Sequence, residues 1–262
     1  MAGTENRIVI MDFSHVYEME TFYKRAQVRW LDCTDMSGTD GYCDEAGKAA
    51  IRRKIGPLPP EGIHFIDGGN YHYVSELWLE KIKRDFALAV FDHHSDMQKP
   101  LFGDILSCGS WILNTLEHNP YVRRVLLIGL SEEQEQTIPD RYKDRIRCIS
   151  ADDLKEKDTW SRISGLHTRL PVYISVDKDV LSEHVVDTTW DQGDMTLAQL
   201  KALMHLLIRT EHVIGIDICG ECTAQLDSLS AIEENDDVNR ALLAFLDKEK
   251  EQKSKGRKRS GS

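Results

Sequence analysis

Ala87-Leu88-Ala89-Val90-Phe91 runs straight into Asp92-His93-His94-Ser95-Asp96. Five apolar residues in a row lack the polar alternation of a half-exposed strand, so they predict a strand covered on both faces. Six further runs share this β-branched, apolar texture: Ile8–Met11, Ile63–Ile66, Val125–Leu130, Ile146–Ile149, Val172–Val176 and Val213–Ile216. Helical spacings lie between several of them. Tyr73–Arg84 repeats Val74, Leu77, Trp78 and Ile82 at the right interval, and Leu197–Ile208 does so with Leu200, Leu203, Met204 and Leu207. Strands alternating with helices imply crossover connections and a mostly parallel central sheet, hence an α/β fold. A last helix is predicted over Asp236–Lys248, burying Leu242, Leu243 and Phe245. Asp32–Asp44 and Gly56–Gly62 read as loops from their Gly, Asp, Ser, Thr and Pro content.

The chain has 262 residues, 41% hydrophobic and 29% charged, which suits one large domain over 1–248. Its formal charge is −11, but Asp247–Ser262 contributes +4 and leaves −15 on the body. An acidic body argues against nucleic-acid binding, which needs basic surface to neutralise phosphate. The stretch 249–262 is basic, poor in apolar residues and expected to be disordered. Met1–Asn6 is polar and no apolar run nears the ~20 residues of a membrane span. Six cysteines spread without a secretory leader suggest reduced thiols and a cytoplasmic protein.

The chemistry concentrates where strands end. On an extended chain alternate side chains share a face, which would place Asp92, His94 and Asp96 together. Ser175-Val176-Asp177-Lys178-Asp179 repeats the pattern, with Asp177 and Asp179 on one face and Lys178 on the other. Gly68-Gly69-Asn70-Tyr71-His72 follows a third strand, and Glu221 a fourth. Each segment alone is also what an ordinary polar loop carries. Together they converge, because ligands of an open parallel sheet bind beyond the carboxyl ends of its strands. So many carboxylates in one pocket repel one another and lose hydration unless a cation joins them. Oxygen-rich ligation with two histidines favours Mn²⁺ over structural zinc, and six ligands suit two ions about 3.5–4 Å apart.

These segments resemble those of the ureohydrolases: arginase, agmatinase, formimidoylglutamase and their relatives. Asp92-His93-His94-Ser95-Asp96 matches the family's Asp-x-His-x-Asp, and Ser175-Val176-Asp177-Lys178-Asp179 matches Ser-x-Asp-x-Asp. The glycine-rich segment ending in His72 and the late Asp217-Ile218-Cys219-Gly220-Glu221 are similar to two more, each one residue longer here. The resemblance implies a three-layer α/β/α fold, often oligomeric, with a dimanganese centre held by His72, Asp92, His94, Asp96, Asp177 and Asp179. It implies a metal-bridging hydroxide attacking a C–N centre of a small guanidino or amidino substrate, with Glu221 pairing the substrate cation. Asp96 would serve catalysis as well as ligation. Where arginases carry a shuttle His, Ser107-Cys108-Gly109-Ser110 stands here, so Cys108 is a catalytic candidate, and His184 is a second.

Two other readings use the same residues. A single Zn²⁺ held by Asp92, His94 and Asp177 would make a deacetylase-like amidohydrolase. A ureohydrolase-like scaffold without catalysis would bind a ligand only. Cys219 and Cys222 read as buried or half-buried thiols rather than a redox pair, Trp190 as a wall of the pocket, and the loop with Asp40, Tyr42, Cys43 and Asp44 as its mouth.

Overall fold

The computed structural model describes residues 8–100, 103, 105–153, 169–222 and 229–259. Met1–Asn6 and positions 260–262 of the basic stretch lie outside them. Among the described residues ten strands form: β1 (Ile8–Asp12), β2 (Val28–Asp32), β3 (Tyr42–Cys43), β4 (Gly62–Ile66), β5 (Phe86–Phe91), β6 (Leu106–Ser107), β7 (Val122–Leu130), β8 (Ile146–Ser150), β9 (Val172–Asp177) and β10 (Val213–Cys219). Eight make one sheet in the order β2-β1-β4-β10-β9-β5-β7-β8, every neighbouring pair parallel. β3 and β6 form a separate antiparallel pair, Tyr42 opposite Ser107.

The continuous apolar runs have the cause expected of them. Along β5, Leu88 and Val90 enter one hydrophobic cluster while Ala87, Ala89 and Phe91 enter the other. The first cluster lies under α1 (Glu45–Ile55), α2 (Val74–Leu79) and α3 (Trp111–His118), through Ile51, Leu77, Trp78 and Trp111. The second lies under α5 (Leu197–Thr210) and α6 (Leu229–Arg259), through Leu200, Leu203, Met204, Leu242 and Leu246. The chain is thus a three-layer α/β/α sandwich. A short α4 (Glu132–Gln136) follows β7. Helix starts are locally encoded. Asp44 accepts from the Gly47 amide at 2.7 Å, and Thr196 with Gln199 forms a reciprocal capping box on α5.

One strand is unforeseen, and two local expectations change. β2 is an edge strand with mixed exposure, Arg29 and Asp32 facing outward, so it shows no unbroken apolar run. The predicted helix Tyr73–Arg84 is regular only over Val74–Leu79, and Lys81 reaches back to the carbonyls of Ile55 and Gly56 at 3.0 and 3.2 Å. The last helix starts at Leu229 and runs to Arg259, through much of the stretch expected to be disordered. Lys, Glu, Gln and Arg favour helix even where nothing is buried, and Lys253 Nζ donates to the Ile208 carbonyl at 3.1 Å.

The first and last segments meet. Asp236 of α6 accepts from the Thr21 and Phe22 amides at 2.8 and 2.6 Å and from Thr21 Oγ1 at 2.7 Å. Among the described residues, no helix is long and apolar enough to cross a membrane.

Candidate metal centre

β4, β5, β9 and β10 are the four strands at the middle of the sheet, adjacent in the order β4-β10-β9-β5. Their carboxyl ends surround a cavity of about 350 Å³ lined by His72, Asp92, His94, Asp96, Asp177 and Asp179. The six residues are brought to one place by different local means. Gly68-Gly69 leads into a single 3-10 turn whose end presents His72. After β5 the chain turns instead of continuing extended: the His94 amide donates to Asp92 Oδ1 at 2.6 Å, and Asp96 is left-handed at φ 47°. The strand alternation expected for Asp92, His94 and Asp96 therefore gives way to a tight turn with the same convergence. Asp177 caps a 3-10 turn by accepting from the Asp179 amide at 3.0 Å, which keeps both carboxylates at the cavity.

Two His–carboxylate groups share one residue. His72 Nδ1 lies 3.1 Å from Asp92 Oδ2, 3.2 Å from Asp96 Oδ2 and 3.4 Å from Asp177 Oδ2. His94 Nδ1 lies 2.9 Å from Asp179 Oδ2 and 3.6 Å from Asp92 Oδ1. Asp92 thus turns one oxygen to each histidine. Supporting bonds fix the rest. Ser175 Oγ donates to Asp217 Oδ1 at 2.5 Å and so accepts from His72 Nε2 at 2.9 Å, leaving Nδ1 as the ring atom aimed at the carboxylates. Trp111 Nε1 donates to Asp96 Oδ2 at 2.6 Å. His72 Nδ1 and Asp92 Oδ2 are buried without a hydrogen-bond partner, a costly state that a coordinated cation relieves.

The electrostatics point the same way. Burial first, then Asp177 and Asp92, push the Asp179 carboxyl well above its usual range, and burial raises Asp177. Burial and the neighbouring Asp92 push Asp96 up to about 6. Burial alone would raise Asp92 too, but the neighbouring His72 and His94 outweigh it and hold Asp92 low. Burial would lower His94, yet Asp179 and Asp92 push it up to about 11. Protons here do for the carboxylates what cations would do better, so the donor set fits divalent metal.

Three expected catalytic residues fall elsewhere or serve otherwise. Glu221 is fully buried and absent from the cavity lining. Gly220 takes φ 94°, and a Cβ there would sit 2.3 Å from Asp177 Oδ1, so only glycine makes this turn. The turn carries Glu221 behind the strand ends, where Lys178 Nζ meets it at 2.6 Å. The substrate-pairing role expected of Glu221 is not offered by this geometry. His184 is exposed and does not line the cavity. Cys108 does line it, but burial pushes its thiol up to about 12, so it stands as a protonated wall and not a ready nucleophile. Asp40, Tyr42 and Trp190 line the mouth, where Asn70 donates to Asp40 Oδ1 at 2.7 Å and accepts from Trp190 Nε1 at 2.9 Å.

Sequence reasoning passed over Trp111, whose apolar context gives no sign of a carboxylate partner. Cys219, read from the sequence only as a buried or half-buried thiol, places its Sγ 3.2 Å from Asp177 Oδ2. The spacing of Cys219 from Asp217 on one strand face is the signal that would have found it. A larger cleft of about 590 Å³, lined by Arg52, Pro60, Glu76, Lys81 and Tyr121 among others, opens by the residues that precede β4 and β7. Among the described residues, none of the His/Cys/Asp/Glu clusters able to hold an ion lies there, so its size does not make it the reactive site.

The Arginase family profile matches residues 17–234. The chain belongs to the arginase family. An uncharacterized protein of Thermotoga maritima is 34% identical over 188 residues, covering 71% of this chain and 68% of that one. The agmatine ureohydrolase of Thermoplasma volcanium superposes with a TM-score of 0.70 at 16% identity, covering 96% of this chain and 92% of that one. The formimidoylglutamase of Bacillus subtilis superposes at 0.68 and 13% identity, covering 95% and 89%. At such identities these two show that this arginase-family chain shares their fold.

Proposed function

We propose that this arginase-family chain is a metal-dependent hydrolase that cleaves a C–N bond in a small guanidino or amidino compound, with two divalent ions at the shared cluster. The observation that carries the reading is Asp92, whose two oxygens face two separate His–carboxylate groups, 3.1 Å from His72 and 3.6 Å from His94. His72, Asp96 and Asp177 with Asp92 would hold one ion, and His94 and Asp179 with Asp92 the other. Mn²⁺ suits the predominance of oxygen donors. When bound, such ions supply Lewis acidity and an activated water.

The protein's own groups supply the rest. Asp96, whose Oδ2 accepts from Trp111 Nε1 at 2.6 Å at the cavity wall, would serve proton transfer as well as ligation. The chain Asp217–Ser175–His72 holds the His72 ring in one tautomer and orientation. With Glu221 withdrawn, the charge facing a cationic substrate at the mouth is Asp40, beside the indole of Trp190. Cys33, Cys43, Cys108, Cys148 and Cys219 form no disulfide, which suits a cytoplasmic enzyme.

The test is direct. Purified protein loaded with Mn²⁺ is analysed for metal and offered guanidino acids, agmatine-like amines, formimino compounds and acylated amines, with urea, ammonia and amine release followed. Two ions per chain and turnover of a guanidino or amidino compound are expected. One zinc per chain with turnover of acylated amines only would replace this reading with the deacetylase-like one.

A further inference from the structure

Cys219 ends β10 in register with Asp177, the last residue of β9. Its side chain is fully buried. Asp217 and Cys219 share one face of β10, and each meets the centre differently. Asp217 reaches His72 through Ser175, whereas Cys219 Sγ reaches Asp177 Oδ2 itself at 3.2 Å. His72, Asp177 and Cys219 each place a donor atom within 4.8 Å of the other two, and all three are buried. The His72 nitrogen aimed at the carboxylates, Nδ1, has no hydrogen-bond partner. A cation seated among these atoms satisfies the imidazole, the carboxylate and the sulfur together.

We propose that Cys219 is a thiolate ligand to the ion held by His72 and Asp177, so that the two metal positions differ in kind. The position at His72 would join nitrogen, oxygen and sulfur donors and select a thiophilic ion such as Zn²⁺ or Co²⁺. The position at His94 has Asp92 and Asp179 as its partners and keeps the harder character suited to Mn²⁺. On binding, the sulfur lone pair forms the metal bond and the thiol proton leaves to solvent, with no change of oxidation state. The inference rests on the metal-centre reading above, but it makes a separate claim about which ion each position prefers.

Sulfur ligation is read without any activity measurement. Co²⁺-loaded protein should show near-ultraviolet sulfur-to-cobalt charge-transfer absorption. Zn²⁺-loaded protein should show a sulfur shell at about 2.3 Å in X-ray absorption. Cys219→Ser should lose both and should lower the preference for Zn²⁺ over Mn²⁺ by on the order of tenfold or more. Cys108→Ser, which changes the other thiol at the cavity, should retain both signatures. If the wild-type protein binds two ions and shows no sulfur shell, the proposal falls while the two-ion reading stands. One ion with a sulfur shell upholds the proposal and removes the two-ion reading. No bound metal at all removes both. Because the X-ray absorption is read on wild-type protein, a variant that fails to fold does not blunt the test.

Discussion

The Lys178 ammonium lies 2.6 Å from Glu221 Oε1, and both side chains are fully buried. Lys178 Nζ also donates to Asn235 Oδ1 at 2.5 Å and Asn239 Oδ1 at 3.2 Å, both on α6. This ion pair sits directly behind Asp177 and Asp179 and ties the strand ends that carry them to the last helix. Lys178→Met strands a buried carboxylate, so it should destabilise the protein by about 3–5 kcal/mol. The double variant Lys178→Met with Glu221→Gln removes both charges and should recover much of that loss. Urea unfolding of the three proteins measures it. A single variant within 0.5 kcal/mol of wild type, a change typical of exposed surface, would show that the pair carries no structural weight.

Asp92→Asn is expected to empty both metal positions at once, since each depends on one Asp92 oxygen. Metal content after dialysis should fall to near zero, and affinity should drop well beyond the roughly 10–100-fold that losing a supporting hydrogen bond costs. Retention of one tightly held ion would separate the two groups and contradict a shared carboxylate.

Ser175→Ala breaks the chain from Asp217 to His72 while leaving every proposed ligand in the sequence. Metal affinity should fall about 10–100-fold, with both ions still binding at saturation. Titration calorimetry checks this. Unchanged affinity would mean that packing against Trp111, whose ring centre lies 4.8 Å from that of His72, orients the imidazole unaided.

Glu76 on α2 should give the metal-free protein a pH-dependent stability. Burial pushes its carboxyl from 4.5 up to about 8, against a lowering hydrogen bond from Asn114. The folded form therefore holds a proton that the unfolded chain releases above pH 4.5. Its contribution is complete below that pH and is lost as pH rises through about 8. Glu76→Gln should flatten the slope between those limits and stabilise the protein at pH 8 by up to a few kcal/mol. Chemical denaturation at pH 5 and pH 8 reads the effect, and equal slopes for variant and wild type would refute it.

Much of this architecture is legible in the residues because burial on both faces writes a plain code. Val172–Val176 and Ala87–Phe91 need no partner to be read as strands. β2 escapes because half of its surface faces solvent, and a strand such as Val28-Arg29-Trp30-Leu31-Asp32 then looks like any mixed segment. At the site, the convergence of Asp92, His94 and Asp177 could be foreseen from their place after strands. The route of Glu221 could not, because one left-handed glycine, Gly220, decides which side of the sheet edge the next carboxylate serves. Lys178 was expected to point away from the cavity, but its partners Asn235 and Asn239 lie more than fifty residues onward, beyond the reach of local pattern.

The clasp between Asp236 and the amides of Thr21 and Phe22 has a consequence for how the molecule comes into being. Its donors are synthesised 215 and 214 residues ahead of their acceptor. On a growing chain those amides stay bound to water until α6 emerges, and such distant contacts are slow to form. The clasp therefore cannot close before α6 has been made. Until then the connection between β1 and β2 lacks its hold on α6.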